Sequence, residues 1–99
     1  MSDALKQQVK RKLNITWSDE DTDARVEDIV NAAQPIMRHK LGLADGFDFS
    51  APGQENTLFL AWCLYEWNHA AHEFDGNYLG DILQVRQMHE VRANEGNGV

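Results

Sequence analysis

The run Leu58 to Trp67 constrains this chain most: nine of its ten side chains are apolar or aromatic, and only Glu66 carries charge. Ten residues are about half the ~20 needed to cross hydrocarbon, so the run reads as a buried core element and not a membrane span. It contains no Val, Ile or Thr, and Leu, Ala and Trp in series favour a helix over a strand. A helix apolar on every side must be covered on every side. In a chain of 99 residues few other helices are available to do so. Either they all pack around this one, or a second copy of the protein helps.

Length sets the rest of the frame: the chain is one helical domain, 1–99, with a core over about 3–91 and a flexible tail over 92–99. The single cysteine, Cys63, lies inside the apolar run. That excludes an internal disulfide and suits a reducing compartment. With nothing cationic beside it to stabilise a thiolate, it reads as a small buried hydrophobe. The first 13 residues alternate charged and apolar groups and lack a signal-peptide core, so no export is expected.

The net charge of −7 is divided unevenly: residues 1–13 hold four basic and one acidic side chain, residues 14–99 five and fifteen, leaving +3 against −10. An acidic body argues against binding the phosphate backbone of nucleic acid, which depends on Lys and Arg releasing counterions. The exception is the basic first helix with Lys6, Lys10, Arg11 and Lys12. It reads as a solvated helix face, with a DNA-binding regulator as the alternative.

Along the chain, Ser2 is placed to cap a first helix in which Leu5, Val9 and Leu13 recur every four residues, with Asp3 in its first turn. Asn14 to Trp17 follows as a connector. The acidic cluster Ser18 to Asp23 looks like the start of a calcium loop, but Ala24 stands where that loop needs Gly and Val30 where it needs Glu. The cluster fits better as capping groups at the positive end of the next helix. That second helix shows the best periodicity: Val26, Ile29, Val30, Ala33, Met37 and Leu41 share one face. Pro35 lies inside it and should kink or stop it, and Gly42 supplies the left-handed cap.

Residues 42–53 form a long loop carrying Phe47 and Phe49, and loops of this length in small domains usually have a function. These two rings either fold back over the core as a lid or dock into a neighbouring subunit. The central helix is expected from about Gln54 to the neighbourhood of His72. Phe74 to Asn77 reads as a turn. A last helix then turns Tyr78, Ile82, Val85 and Met88 or His89 inward, with Leu79 and Leu83 widening that face.

Chemistry is sparse. There is no Gly-rich phosphate loop, no recognisable nucleophile setting and no carboxylate pair in an apolar frame, so an enzyme is not expected, nor a cofactor. Glu66, His69 and His72, spaced three apart, are the one set that suggests metal ligands; the alternative function is a small metal-binding helical protein or enzyme built on them. The set lacks the His-Glu-x-x-His order, and histidines near a helix carboxyl end are favoured by the dipole alone. No metal is therefore expected.

Several segments together resemble a known family: Val9-x-x-x-Leu13-x-Ile15-Thr16, the acidic stretch Asp19 to Asp23, Ile29-Val30-x-Ala32-Ala33-x-x-Ile36, Leu64-Tyr65-Glu66-Trp67-Asn68 and Glu73-Phe74-x-x-x-Tyr78. The chain is similar in these to the small helical head-tail connector proteins of tailed bacteriophages, the head-completion or DNA-packaging adaptors of virions and prophages. Pro35 departs from that pattern. The resemblance implies an all-α bundle of about four helices with a long loop between the second and third. It further implies a homo-oligomeric ring of about a dozen subunits at the head-tail interface of the virion, assembled in the bacterial host cytoplasm. The expected partners are a portal protein on one side and a head-closure or tail protein on the other. Double-stranded DNA would pass through the lumen without sequence-specific binding, and no membrane is involved. An acidic wall that repels phosphates is compatible with such a conduit. Trp17, Phe47, Phe49, Trp67, Phe74 and Tyr78 are the candidate subunit-interface residues.

Overall fold

The computed structural model describes residues 3–17 and 19–96, with side chains for 4–17 and 19–91. Among them the chain forms α1 (Asp3–Lys12), α2 (Glu20–Leu41), α3 (Gln54–Trp67) and α4 (Phe74–Gly96), with a 3₁₀ turn at Ala71–Glu73 leading into α4. This is a small all-α bundle with the long loop, 42–53, between its second and third helices. The expected cap Ser2 lies outside the described residues, as does Ser18.

α1 buries the four-residue stripe foreseen for it: Leu5, Val9 and Leu13 are in the core. Its other edge is tied to α2 by Lys10 on Asp23 at 2.6 Å and Lys6 near Glu27 at 3.9 Å. α2 begins with Asp19 accepting from the Thr22 backbone N–H and from its hydroxyl, both at 2.8 Å. Glu20, Asp21 and Asp23 occupy the first turn, where the helix dipole favours carboxylates. Val26, Val30, Ala33, Met37 and Leu41 are buried, which confirms the period, while Ile29 is half-buried. α2 neither stops nor breaks at Pro35. Asn31, whose carbonyl loses its donor, and Pro35 are both exposed, so water can replace the missing bond.

The first three helices end in the same way. Ile15, Leu43 and Ala70 donate their backbone N–H to the carbonyls five residues back, Lys10, Arg38 and Tyr65. The residues just before them, Asn14 (φ 60°), Gly42 (φ 65°) and His69 (φ 59°), are left-handed. This is the Schellman geometry, which satisfies the last orphan carbonyls. The central helix therefore ends at Trp67, short of the expected His72. His69 takes the role that Gly plays at α2, one of the few non-glycine residues that tolerate it.

α3 packs against α1, α2 and α4. Leu58, Phe59, Ala61, Trp62 and Cys63 are buried, and Leu60, Leu64, Tyr65 and Trp67 are partly buried against the same core. A helix apolar all round is thus mostly enclosed by its own chain, and a second copy is not needed to cover it.

The loop completes the enclosure. Phe49 is 1% exposed and stacks on Phe59 with centroids 4.6 Å apart. Its backbone carbonyl accepts from Asn56 Nδ2 at 2.7 Å, the Ser50 carbonyl from Gln8 Nε2 at 3.0 Å, and the Phe47 carbonyl from Arg38 Nη2 at 3.0 Å. Of the two roles open for this loop, the structure shows the closed lid.

Where a turn was expected at Phe74 to Asn77, the backbone is already helical. The interruption falls at Tyr78, whose φ of −118° and ψ of 16° leave the helical region. Phe74, Ile82 and Val85 face the core, but Leu79 and Leu83 do not: each is 55% exposed. The expected inward face was one residue too wide, because a position next to the buried stripe lies 100° around the helix from it. α4 reaches Gly96, so the first part of the expected tail 92–99 is helical, and 97–99 lie outside the described residues.

Candidate interaction surface

The six aromatic candidates separate once they are placed. Phe49 and Phe74 belong to the chain's own core, at 1% and 0% exposed, and offer nothing to a partner. Phe74 is wedged between Trp62, edge-on at 5.2 Å, and Tyr78, stacked at 4.8 Å. Tyr78 is half-buried with Tyr65 at 5.8 Å; partial desolvation, and then the neighbouring Tyr65, raise its phenol above the ordinary value. Trp67 is half-buried under the Arg25 guanidinium, 4.2 Å from the ring, which also donates to the Trp67 carbonyl at 2.7 Å. Phe47 is half-buried, with Phe49 and His89 edge-on at 5.3 and 5.7 Å. Only Trp17 is truly open, at 52%, and its Nε1–H donates to Thr22 Oγ1 at 3.1 Å.

The metal set does not assemble. α3 ends before His69, so Glu66, His69 and His72 do not share a helix face. His69 Nε2 instead lies 3.3 Å from the Arg25 guanidinium, a neighbour that disfavours a cation. Among the described residues no group of three or more His, Cys, Asp or Glu side chains could hold a metal ion. Cys63 is fully buried; burial, and secondarily Glu66, push its thiol up to about 12, so it stays protonated and unreactive at neutral pH.

The surface that pattern reading missed is apolar and lies on α2 and α4. Leu79 and Leu83, one turn apart on α4, are exposed, and so are Val91 at 50% and, on α2, Ile36 at 38%. Val91 lies two residues after His89, about 200° around the helix from that inward position, so it faces solvent. The two helices are pinned where they do overlap, His89 Nε2 lying 2.8 Å from Glu55 Oε2. Spacing could have flagged Leu79 and Leu83, since they fall outside the 4, 4, 3, 4 series Phe74, Tyr78, Ile82, Val85 and His89.

Beside Ile36, a groove of about 210 Å³ opens between α2 and α3, lined by Asp28, Ile29, Ala32, Ala33, Ile36, Trp62 and Glu66. Its rim charges are both acidic, and neither carboxylate has a hydrogen-bond or ion-pair partner among the described residues. Most cations, by contrast, are already engaged: Lys6, Lys10 and Lys40 in ion pairs, Arg25, Arg38 and Arg86 on backbone carbonyls. Of the lysines and arginines whose side chains are described, Arg11 and Lys12 alone have no partner among the described residues, and both border an open cavity of about 460 Å³ beside Gln8, Ser50 and Leu60.

Comparison of the chain with protein-family models, with curated proteins and with solved structures returns no match. Among the described residues no helix is long and apolar enough to cross a membrane.

Proposed function

We propose that this protein is a structural subunit of a head-tail connector ring, joining copies of itself between a portal protein and a head-closure or tail protein so that double-stranded DNA can pass. The reading assigns no reaction and no cofactor to the chain, and places it in the virion. Its sequence support is the set of segments that resembles the connector family. The observation that carries it is the apolar surface left by a finished bundle: Trp17, Leu79, Leu83 and Val91 are each at least half exposed although the core is closed. In a chain this small, several large apolar groups in water favour association, since burying the exposed half of each one releases on the order of 1 kcal/mol. The −10 charge of residues 14–99 also favours a conduit that does not hold DNA phosphates.

The test is assembly. Light scattering at high protein concentration, and electron microscopy with the portal protein added, are expected to reveal rings. A chain that stays monomeric and ignores the portal overturns the reading. Duplex DNA is expected to show no retention by the ring at physiological salt.

A further inference from the structure

Three carboxylates among the described residues are half-buried, and two of them hold a cation. Asp23 has Lys10 Nζ at 2.6 Å, and Glu55 has His89 Nε2 at 2.8 Å. The third, Glu66, has no hydrogen-bond or ion-pair partner among the described residues. It lines the α2–α3 groove together with Ile29, Ala32, Ile36 and Trp62, and with Asp28, an exposed carboxylate also without a partner. Drawing a carboxylate part-way out of water costs free energy that a cation beside it recovers. The two cations nearest this face are committed elsewhere. Arg25 lies over the Trp67 ring and donates to the Trp67 carbonyl, with His69 as its other neighbour, while Lys40 lies over Trp62 and pairs with Asp75.

We infer that the α2–α3 groove is the docking site for a basic amphipathic helix of another protein, whose apolar side chains enter between Ile36 and Trp62 and whose Lys or Arg side chains reach Asp28 and Glu66. The lining fixes the apolar half of that partner and the rim fixes its charge, since both charged groups of the groove are acidic. Size selects a polypeptide. The groove follows α2 from Asp28 to Ile36, about 12 Å or two turns. Its volume of about 210 Å³ falls below the roughly 300–1,000 Å³ of small-molecule sites, which suits anchor side chains of a helix laid in a groove. A second copy of this chain does not match, judged by its described residues. Its most exposed apolar groups adjoin acids in the chain: Trp17 precedes the exposed Asp19, Glu20 and Asp21, Asp81 lies between Leu79 and Leu83, and Glu90 precedes Val91. Its unpartnered cations, Arg11 and Lys12, border the α1–α3 cavity with Gln8, Ser50, Asn56 and Leu60.

A monomer and a ring subunit offer the same groove, so this contact is tested apart from assembly. The full chain is titrated with three synthetic helical peptides: one with Leu on one face and Lys flanking it, one with each Leu replaced by Ser, and one with each Lys replaced by Glu. Affinity is read by calorimetry, and the bound face by amide NMR shifts. The Leu/Lys peptide is expected to bind and to shift the amides of Ala32, Ala33, Ile36 and Glu66. The Ser/Lys and Leu/Glu peptides should bind at least about tenfold more weakly, because each lacks one half of the match. Asp28→Asn combined with Glu66→Gln should weaken the Leu/Lys peptide by a similar factor, and so should Ile36→Gln, with urea midpoints checked for each. Asp28→Asn alone, at an exposed position, carries the charge test if the pair does not fold. No binding of the Leu/Lys peptide overturns the inference. So does equal binding of the Ser/Lys peptide, which would trace the attraction to the net charge of −7 and not to the groove. Equal binding by the folded neutralised variants, or shifts confined to Leu79, Leu83 and Val91, also overturns it.

Discussion

On one flank of the α2–α3 pair, α1 and the 42–53 loop close over the apolar surface so completely that Val9, Phe49 and Phe59 are at most 1% exposed. On the other flank, residues of equal hydrophobicity stay open: Ile36 is 38% exposed, and the groove between it and Trp62 has no cover from its own chain. Both flanks are apolar stripes on the same helices. The closed one has a loop held by three side-chain hydrogen bonds to its carbonyls, from Gln8, Arg38 and Asn56. The open one has only single side chains across it: Lys40 spans from the Trp62 ring at 5.2 Å to Asp75 at 2.9 Å, and Arg25 reaches from α2 over the Trp67 ring at 4.2 Å. Hydrophobicity therefore says that a surface seeks burial; whether it finds it within the chain depends on what the chain can bring there.

The contrast breaks first at Phe49. Phe49→Ala empties a sealed site stacked on Phe59 and is expected to cost about 3–5 kcal/mol in urea unfolding. A loss below about 1 kcal/mol would mean the lid is not closed. Gly42→Ala tests the helix end from which that loop departs. An added Cβ there meets only Arg86 atoms, 3.7 Å away or more, so the cost is purely that of the left-handed backbone, about 1 kcal/mol.

A smaller effect, with a sign that depends on pH, is expected at Asp19. Bonds from the Thr22 backbone N–H, then from its hydroxyl, hold this carboxyl below its ordinary value of 3.8. Its folded pKa is lowered, so the stabilisation is present above the unfolded pKa and disappears as pH falls through the folded one. The difference in stability between wild type and Asp19→Ala should therefore be constant near neutrality and vanish in acid below the ordinary value, read by denaturant melts across pH. Smallest of all is Ile36→Gln, expected to change stability by no more than about 0.5 kcal/mol, the range of ordinary surface substitutions. If it costs as much as Phe49→Ala, the open flank is core after all and the contrast disappears.

Much of the architecture was legible in advance because its causes are local. The stripe Leu5, Val9 and Leu13, the face of α2, the capping role of the cluster Ser18 to Asp23 and the Gly42 stop all act within one or two turns of helix. The end of α3 was misplaced because His69 took a left-handed position that sequence reading reserves for Gly or Asn. Tyr78 interrupts α4 within a segment that otherwise reads as continuous helix beyond a turn. The candidate surface was the least legible. Phe49 and Phe74 looked like interface groups and are core, while Leu79 and Leu83 looked like core and are surface. Their spacing within the helix is the same in either case.

By itself, then, the order of residues determined four amphipathic or apolar helices, their capping chemistry and a charge division between a basic first helix and an acidic remainder. Those properties follow from neighbours within about four residues along the chain. The packing of the fold decided which stripes are sealed, which carboxylates and cations are spent on each other, and which are left facing water. Such outcomes depend on contacts between segments tens of residues apart, as when Ser50 meets Gln8 or Arg86 meets the end of α2. No periodicity encodes them, because burial is a property of what lies opposite a side chain and not of the side chain alone.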